Sequence, residues 1–238
     1  MRNHVHMGTI RRGAGAALAA FVLTMACAAS SAAAADTISA DTDCCSFAAP
    51  GSFGQILGEV PTFENPEGSA APHNVTSPLR GPDGAPLFRS KTIFAGGTSP
   101  VEGAQYLQAG TYAFVCTLHS GMDGELVVDG AEGTVARRPR IALVVPSQRL
   151  AAVRRSGIIK VSVKALVGDP LVNLSAKSGT RSLAIAFGVA VNAGSTKTVR
   201  MKLTRAGRKA IAKGRKVSVA VKGAVAFGVP VTARRTVR

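Results

Sequence analysis

A chain of 238 residues that is 46% apolar is long enough for one or two domains with real cores, and this excludes a chain without one. Aromatic residues make up only 5%, tryptophan is absent, and the formal net charge is +16. That charge is divided very unevenly along the chain.

The first 35 residues read as a secretory signal. Arg2, Arg11 and Arg12 form a basic start, an apolar run spans 14–29, and the small residues 31–35 offer a cleavage site before Asp36. The run is short for a membrane span and no later segment is a better candidate, so the protein is expected to be exported and not transmembrane. Its destination is periplasmic, cell-surface or secreted. Neither Arg11-Arg12 nor Cys27 sits in a good twin-arginine or lipoprotein context, which favours plain cleavage. The mature chain then keeps two histidines, His73 and His119, with Cys44, Cys45, Cys116, Met122 and Met201.

Residues 36–135 hold 12 acidic side chains against Arg80, Arg89 and Lys91, a net of −9. Residues 136–238 hold 23 basic side chains against Asp169 alone, a net of +22. The break falls at the Gly-rich stretch 129–133 and predicts a first domain over 36–130, a linker over 131–140 and a second domain over 141–238.

The acidic half reads as short strands. Thr62–Asn65 precedes a turn-rich stretch that delivers Pro72-His73-Asn74-Val75. A Gly/Pro-rich loop over 78–86 follows, then short apolar runs at Leu87-Phe88 and Thr92–Phe94. Thr111–Cys116 is a strand by its β-branched and aromatic content, with Tyr112, Phe114 and Cys116 on one face. No helix period is visible here, and the spacing of turns favours an antiparallel sandwich. The strand ends in Cys116-Thr117-Leu118-His119-Ser120-Gly121-Met122, and Glu125–Val128 leads out as the next strand. A thiolate, an imidazole and a thioether thus sit in seven residues, and His73 supplies a second imidazole. Cysteine with two histidines in a trigonal set and a weak axial methionine is the donor set that copper takes.

The pattern Pro72-His73-Asn74-Val75 with Cys116-x-x-His119-x-x-Met122, led in by Gly110-Thr111-Tyr112-x-Phe114, resembles the cupredoxins, in particular their plastocyanin and amicyanin branch. The resemblance covers roughly residues 40–130. It implies a Greek-key β-sandwich with one type 1 copper per chain, bound by His73, Cys116 and His119 in the equatorial plane and by Met122 on the axis. It also implies that Asn74 pins the two ligand-bearing loops together. The edge of His119, flanked by Leu118 and the 78–86 loop, would be the electron port. Leu118 stands where many relatives have proline, which bears on loop stiffness and redox tuning.

The expected function is one-electron transport with unidentified redox partner proteins, and no enzymatic activity, because multicopper catalysis needs histidines that the mature chain lacks. The competing reading is extracytoplasmic copper binding and delivery. Cys44-Cys45 is open between a vicinal disulfide, a bond to another chain and two small apolar residues on opposite faces of a strand. These stand ahead of a second metal site, since no histidine is free to join the pair.

The basic half shows alternating strands at Ile158–Lys164, Val199–Leu203 and Lys216–Val221, each with one buried and one cationic face. The stretch 184–191 is echoed at 224–231. Residues 204–213 read as a short helix with Thr204 as N-cap and Gly214 closing it. It resembles the small basic β-sandwich modules of exported bacterial proteins, with an immunoglobulin-like architecture expected. Its candidate partner is an anionic cell-wall or membrane surface; the competing readings are a solvated face and docking on the acidic half. Nucleic acid is disfavoured by export.

Overall fold

The computed structural model describes residues 37–238, so the predicted signal and Cys27 lie outside the described residues. In the acidic half the elements are β1 (Ile38–Ser39), β2 (Ser52–Leu57), β3 (Thr62–Asn65), β4 (Gly97–Pro100), β5 (Gly110–Val115) and β6 (Asp123–Gly133). One sheet runs β1-β3-β4 and another β2-β6-β5. The two share one core, in which Ile38 and Phe63 of the first meet Phe53, Phe114, Leu126 and Val128 of the second. That is a β-sandwich. The period-2 pattern of β5 and β6 builds it, because Phe114, Leu126 and Val128 point inward while Ala113, Glu125 and Val127 point out. Gly124 pairs with Phe114, and a Cβ there would lie 2.6 Å from the ring, so glycine makes room for the aromatic core. A single 3-10 turn at Ala104–Tyr106 is the only helical piece described in this half.

The basic half contains β7 (Arg140–Val144), α1 (Leu150–Ser156), β8 (Ile158–Val167), β9 (Leu171–Ser178), β10 (Arg181–Ala190), β11 (Thr196–Lys202), α2 (Arg205–Ala212), β12 (Val217–Ala224) and β13 (Val231–Val237). Sheets β11-β8-β7 and β10-β9-β12-β13 enclose a second, separate core. Seven antiparallel strands divided three and four give an immunoglobulin-like sandwich, with the fourth strand paired to the third rather than the fifth. In β8, Ile159, Val161, Val163 and Ala165 are buried while Lys160 and Lys164 face solvent. Helix α2 is capped as expected, Thr204 Oγ1 accepting from Gly207 N at 2.9 Å, but Lys213 rather than Gly214 closes it. Helix α1 is not expected from the sequence pattern.

The echo at 184–191 and 224–231 does not fold as a repeat. The first copy lies mostly in β10, whereas the second leaves β12 and turns. Pro230 has no N–H for a ladder, and Phe227 adopts φ 59°, a left-handed conformation that ends extended structure.

This turn clamps the two halves together. Phe227 is buried; its N–H donates to Asp83 Oδ2 at 2.8 Å, and its carbonyl accepts from Arg138. The Arg89 guanidinium lies 4.8 Å from the ring centroid, and a Cβ on Gly103 would meet the ring at 2.5 Å. Removing the ring in Phe227→Ala should cost the clamped state about 3 kcal/mol. Trypsin cleavage after the exposed Arg137 should then accelerate by roughly tenfold or more, read by gel or mass spectrometry. An unchanged cleavage rate would mean the ring does not hold the halves.

Candidate metal centre

Two backbone pairings bring the site together. Segment 73–77 has too few ladder bonds to count as a strand, yet Thr76 and Val115 exchange N–H···O bonds of 2.9 Å in both directions. His73 pairs likewise with Ile93, at 3.0 and 2.9 Å. These two contacts hold His73 beside the end of β5. The loop after β5 is closed by Cys116 N donating to Met122 O at 2.9 Å, with Gly121 at φ 79° allowing the turn.

The sulfur of Cys116 lies 3.9 Å from His73 Nδ1 and 3.5 Å from His119 Nδ1. All three donor atoms fall within 4.8 Å of one another. A trigonal ion bonded to one thiolate and one imidazole at ordinary first-row lengths would separate sulfur from nitrogen by about 3.8 Å. The observed spacing fits a shared ion. Cys116 is free, buried and deep in the core face, and His73 is fully buried. Burial, and secondarily the charge of His119, pushes the His73 pKa down, which keeps its imidazole in the neutral, ligating form. Its Nε2 is buried with no hydrogen-bond partner. Met122 is buried and lines the same shallow depression as Cys116 and His119. The His–Cys–His–Met group is able to bind one copper ion.

Asn74 ties the two ligand-bearing segments together. Its Oδ1 accepts from Thr117 N at 3.0 Å and from Thr76 Oγ1 at 3.2 Å. Its Nδ2 donates to Thr117 Oγ1 at 2.9 Å and Thr92 Oγ1 at 3.1 Å. The residue after His73 is thus bonded to the residue after Cys116. His119 is half-buried, and Leu118 beside it is 50% exposed.

Cys44 and Cys45 are bonded to each other, resolving the alternatives left by the sequence. Their sulfurs lie within 4.8 Å of a ring nitrogen of His119. No spacing in the chain announces that contact, because it is made across the fold.

The acidic half is therefore a cupredoxin-like sandwich with a candidate copper centre. No family model and no curated protein matches the chain. Among solved structures it is similar to amicyanin. An oxidised proline-to-alanine variant is 25% identical, over 40% of this chain and 82% of that one, with a TM-score of 0.32. The Cu(I) form of a methionine-to-alanine variant is 26% identical over the same shares, also at 0.32. A reduced tryptophan-to-tyrosine variant is 26% identical over 41% and 85%, again at 0.32. The copper assignment rests on the donor geometry rather than on these scores.

Asn74→Ala removes bonds on both sides of the centre and leaves the Thr117 N–H without its acceptor. It should destabilise the metal-free protein by about 2 kcal/mol in urea unfolding, and a chelator should strip copper from it faster than from the parent. Asn74→Asp keeps the acceptor and should recover part of both losses. Wild-type behaviour of Asn74→Ala in both assays would remove the pin.

Proposed function

We propose that the chain is an exported type 1 copper protein that carries single electrons between partner proteins. The observation that carries this reading is the convergence of Cys116 Sγ with two imidazole Nδ1 atoms in a buried corner, from which only His119 approaches the surface. Copper, when bound, supplies a one-electron couple. The chain's own residues supply the rest. His73 and Cys116 keep bulk water away, Asn74 limits ligand movement, and His119 with Leu118 offers a port. Two fixed ligand loops suit a carrier, because little has to rearrange when the charge on the site changes. Among the described residues there is no histidine beyond His73 and His119 for a second catalytic copper, which supports a carrier over an oxidase.

Copper delivery remains the alternative, favoured by one observation: His119 is shared with the Cys44–Cys45 pair near the surface. A delivery protein would exchange copper readily, whereas a carrier would hold it against chelators and self-exchange electrons fast.

Cu(II) added to the purified mature protein should give an intense visible colour from thiolate-to-copper charge transfer, with a type 1 electron paramagnetic resonance spectrum. Cys116→Ser should abolish the colour even where copper still binds. Full copper occupancy without colour would overturn the type 1 assignment.

For the basic half we propose attachment to an anionic surface outside the cytoplasm. Lys160 and Arg200 sit directly opposite each other on β8 and β11, both exposed, with Lys164 and Lys202 exposed on the same strands. Like charges in cross-strand register are unfavourable unless an anion relieves them. The protein should bind anionic lipid vesicles or wall polymer, and binding should weaken steeply with salt, since screening acts over about 8 Å at physiological ionic strength. Equal retention on anionic and neutral vesicles at low salt would dispose of the proposal.

A further inference from the structure

We infer that Cys44 and Cys45, once reduced, form with His119 a second soft-metal site that takes up Cu(I) at the surface. The two sulfurs and a ring nitrogen of His119 lie within 4.8 Å of one another, close enough for one ion to reach all three. Cu(I) favours thiolate donors. The cysteines are held in place by the sandwich. Ala40 and Phe47 form a bridge across the base of their loop, and Asp41 N donates to Ser46 O at 3.0 Å. Phe47 is buried edge-on against Phe114 at 4.8 Å, and Phe114 lies two residues before Cys116. One aromatic contact therefore sets the position of the pair relative to the inner centre. Exposed Cys44 and Asp43 give the loop a solvent-facing, anionic entrance suited to a cation.

The disulfide seen in the structure has no thiolate to offer, so the pair acts as a redox gate. Opening it takes two electrons and two protons from an external dithiol, which leaves as its own disulfide while the Cys44–Cys45 S–S bond breaks to two thiols. Uptake of one Cu(I) by those thiols releases two protons and forms two copper–sulfur bonds. His119 belongs both to this group and to the group with His73 and Cys116, so an ion held outside is already on a ligand of the inner centre. That entry role, unlike the outer site itself, rests on the inner centre being a copper site.

Full chain carrying Cys116→Ser, which lacks the inner thiolate, isolates the outer site. After reduction with a dithiol and removal of the reductant, one equivalent of Cu(I) is supplied as its bicinchoninate complex. Iodoacetamide alkylation is then followed by peptide mass spectrometry. Cu(I) should slow alkylation of Cys44 and Cys45 by about tenfold or more, and His119→Ala in the same background should weaken Cu(I) competition by about tenfold. Alkylation indifferent to Cu(I), or affinity indifferent to His119→Ala, would overturn the site. For entry, the reduced wild type should develop its blue colour on reoxidation faster at limiting copper than Cys44→Ser/Cys45→Ser. Equal rates would overturn the entry role, while absence of colour in both would overturn the inner-centre reading and leave the alkylation result standing.

Discussion

The centre depends on one closure: the backbone N–H of Cys116 bonded to the carbonyl of Met122. With that bond made, the loop between them must turn back on itself, and the two donors that frame it face the same corner of the core. Burial does the rest. Phe114, Leu126 and Cys116 share one buried core, which keeps the thiol out of solvent. The reciprocal Thr76–Val115 pair then brings a segment from more than thirty residues upstream alongside, and His73 arrives with its Nδ1 aimed at the sulfur.

Such a corner is unfavourable on its own terms. A buried imidazole with an unpartnered Nε2 and a buried free thiol are polar groups taken out of water without full compensation. An ion bonded to Cys116 Sγ and the two Nδ1 atoms offsets the cost at those donors, while His73 Nε2 stays as it is, so the apoprotein should be the less stable form and the metal a folding ligand. Asn74 answers the same problem from the other side. It fixes the two segments whether or not an ion is present, so the donors are prearranged and do not have to be gathered at the moment of binding.

The local parts of this were legible in the sequence because they are governed by local rules. Alternation in Thr111–Cys116 and Glu125–Val128 gave the strands, and Cys116-x-x-His119-x-x-Met122 gave three donors on one loop. The Thr204 cap could be read three residues ahead of the N–H it accepts from. What was not legible depended on long-range contact. Residues 184–191 and 224–231 share a pattern, but a proline and a left-handed Phe227 send the second copy into a turn that bonds to the acidic half. Helix α1 is short and basic at its end, and its burial of Leu150 and Val153 against the strands matters more than its own propensity. The pairing of Cys44-Cys45 with His119 spans seventy-odd residues, and no spacing in the chain announces it.

The two halves carry opposite charge, yet opposite charge is not what seats one on the other. At the clamp Asp83 accepts from a backbone N–H, Arg138 donates to backbone carbonyls, and Arg89 covers an aromatic ring. An apolar contact adds to these, Phe227 against Tyr106 with centroids 5.9 Å apart. Contacts of this kind are less affected by salt than ion pairs, because each charged group meets a neutral partner, a backbone N–H, a backbone carbonyl or a ring. The lysines and arginines on the outer faces of β8 and β11 take no part in the clamp and stay available to an external polyanion. Under the proposed attachment, raising ionic strength should act on the two interactions differently: it should weaken binding through the outer strands while leaving Phe227 seated, so that the acidic half leaves a surface together with the basic half and is not torn away from it.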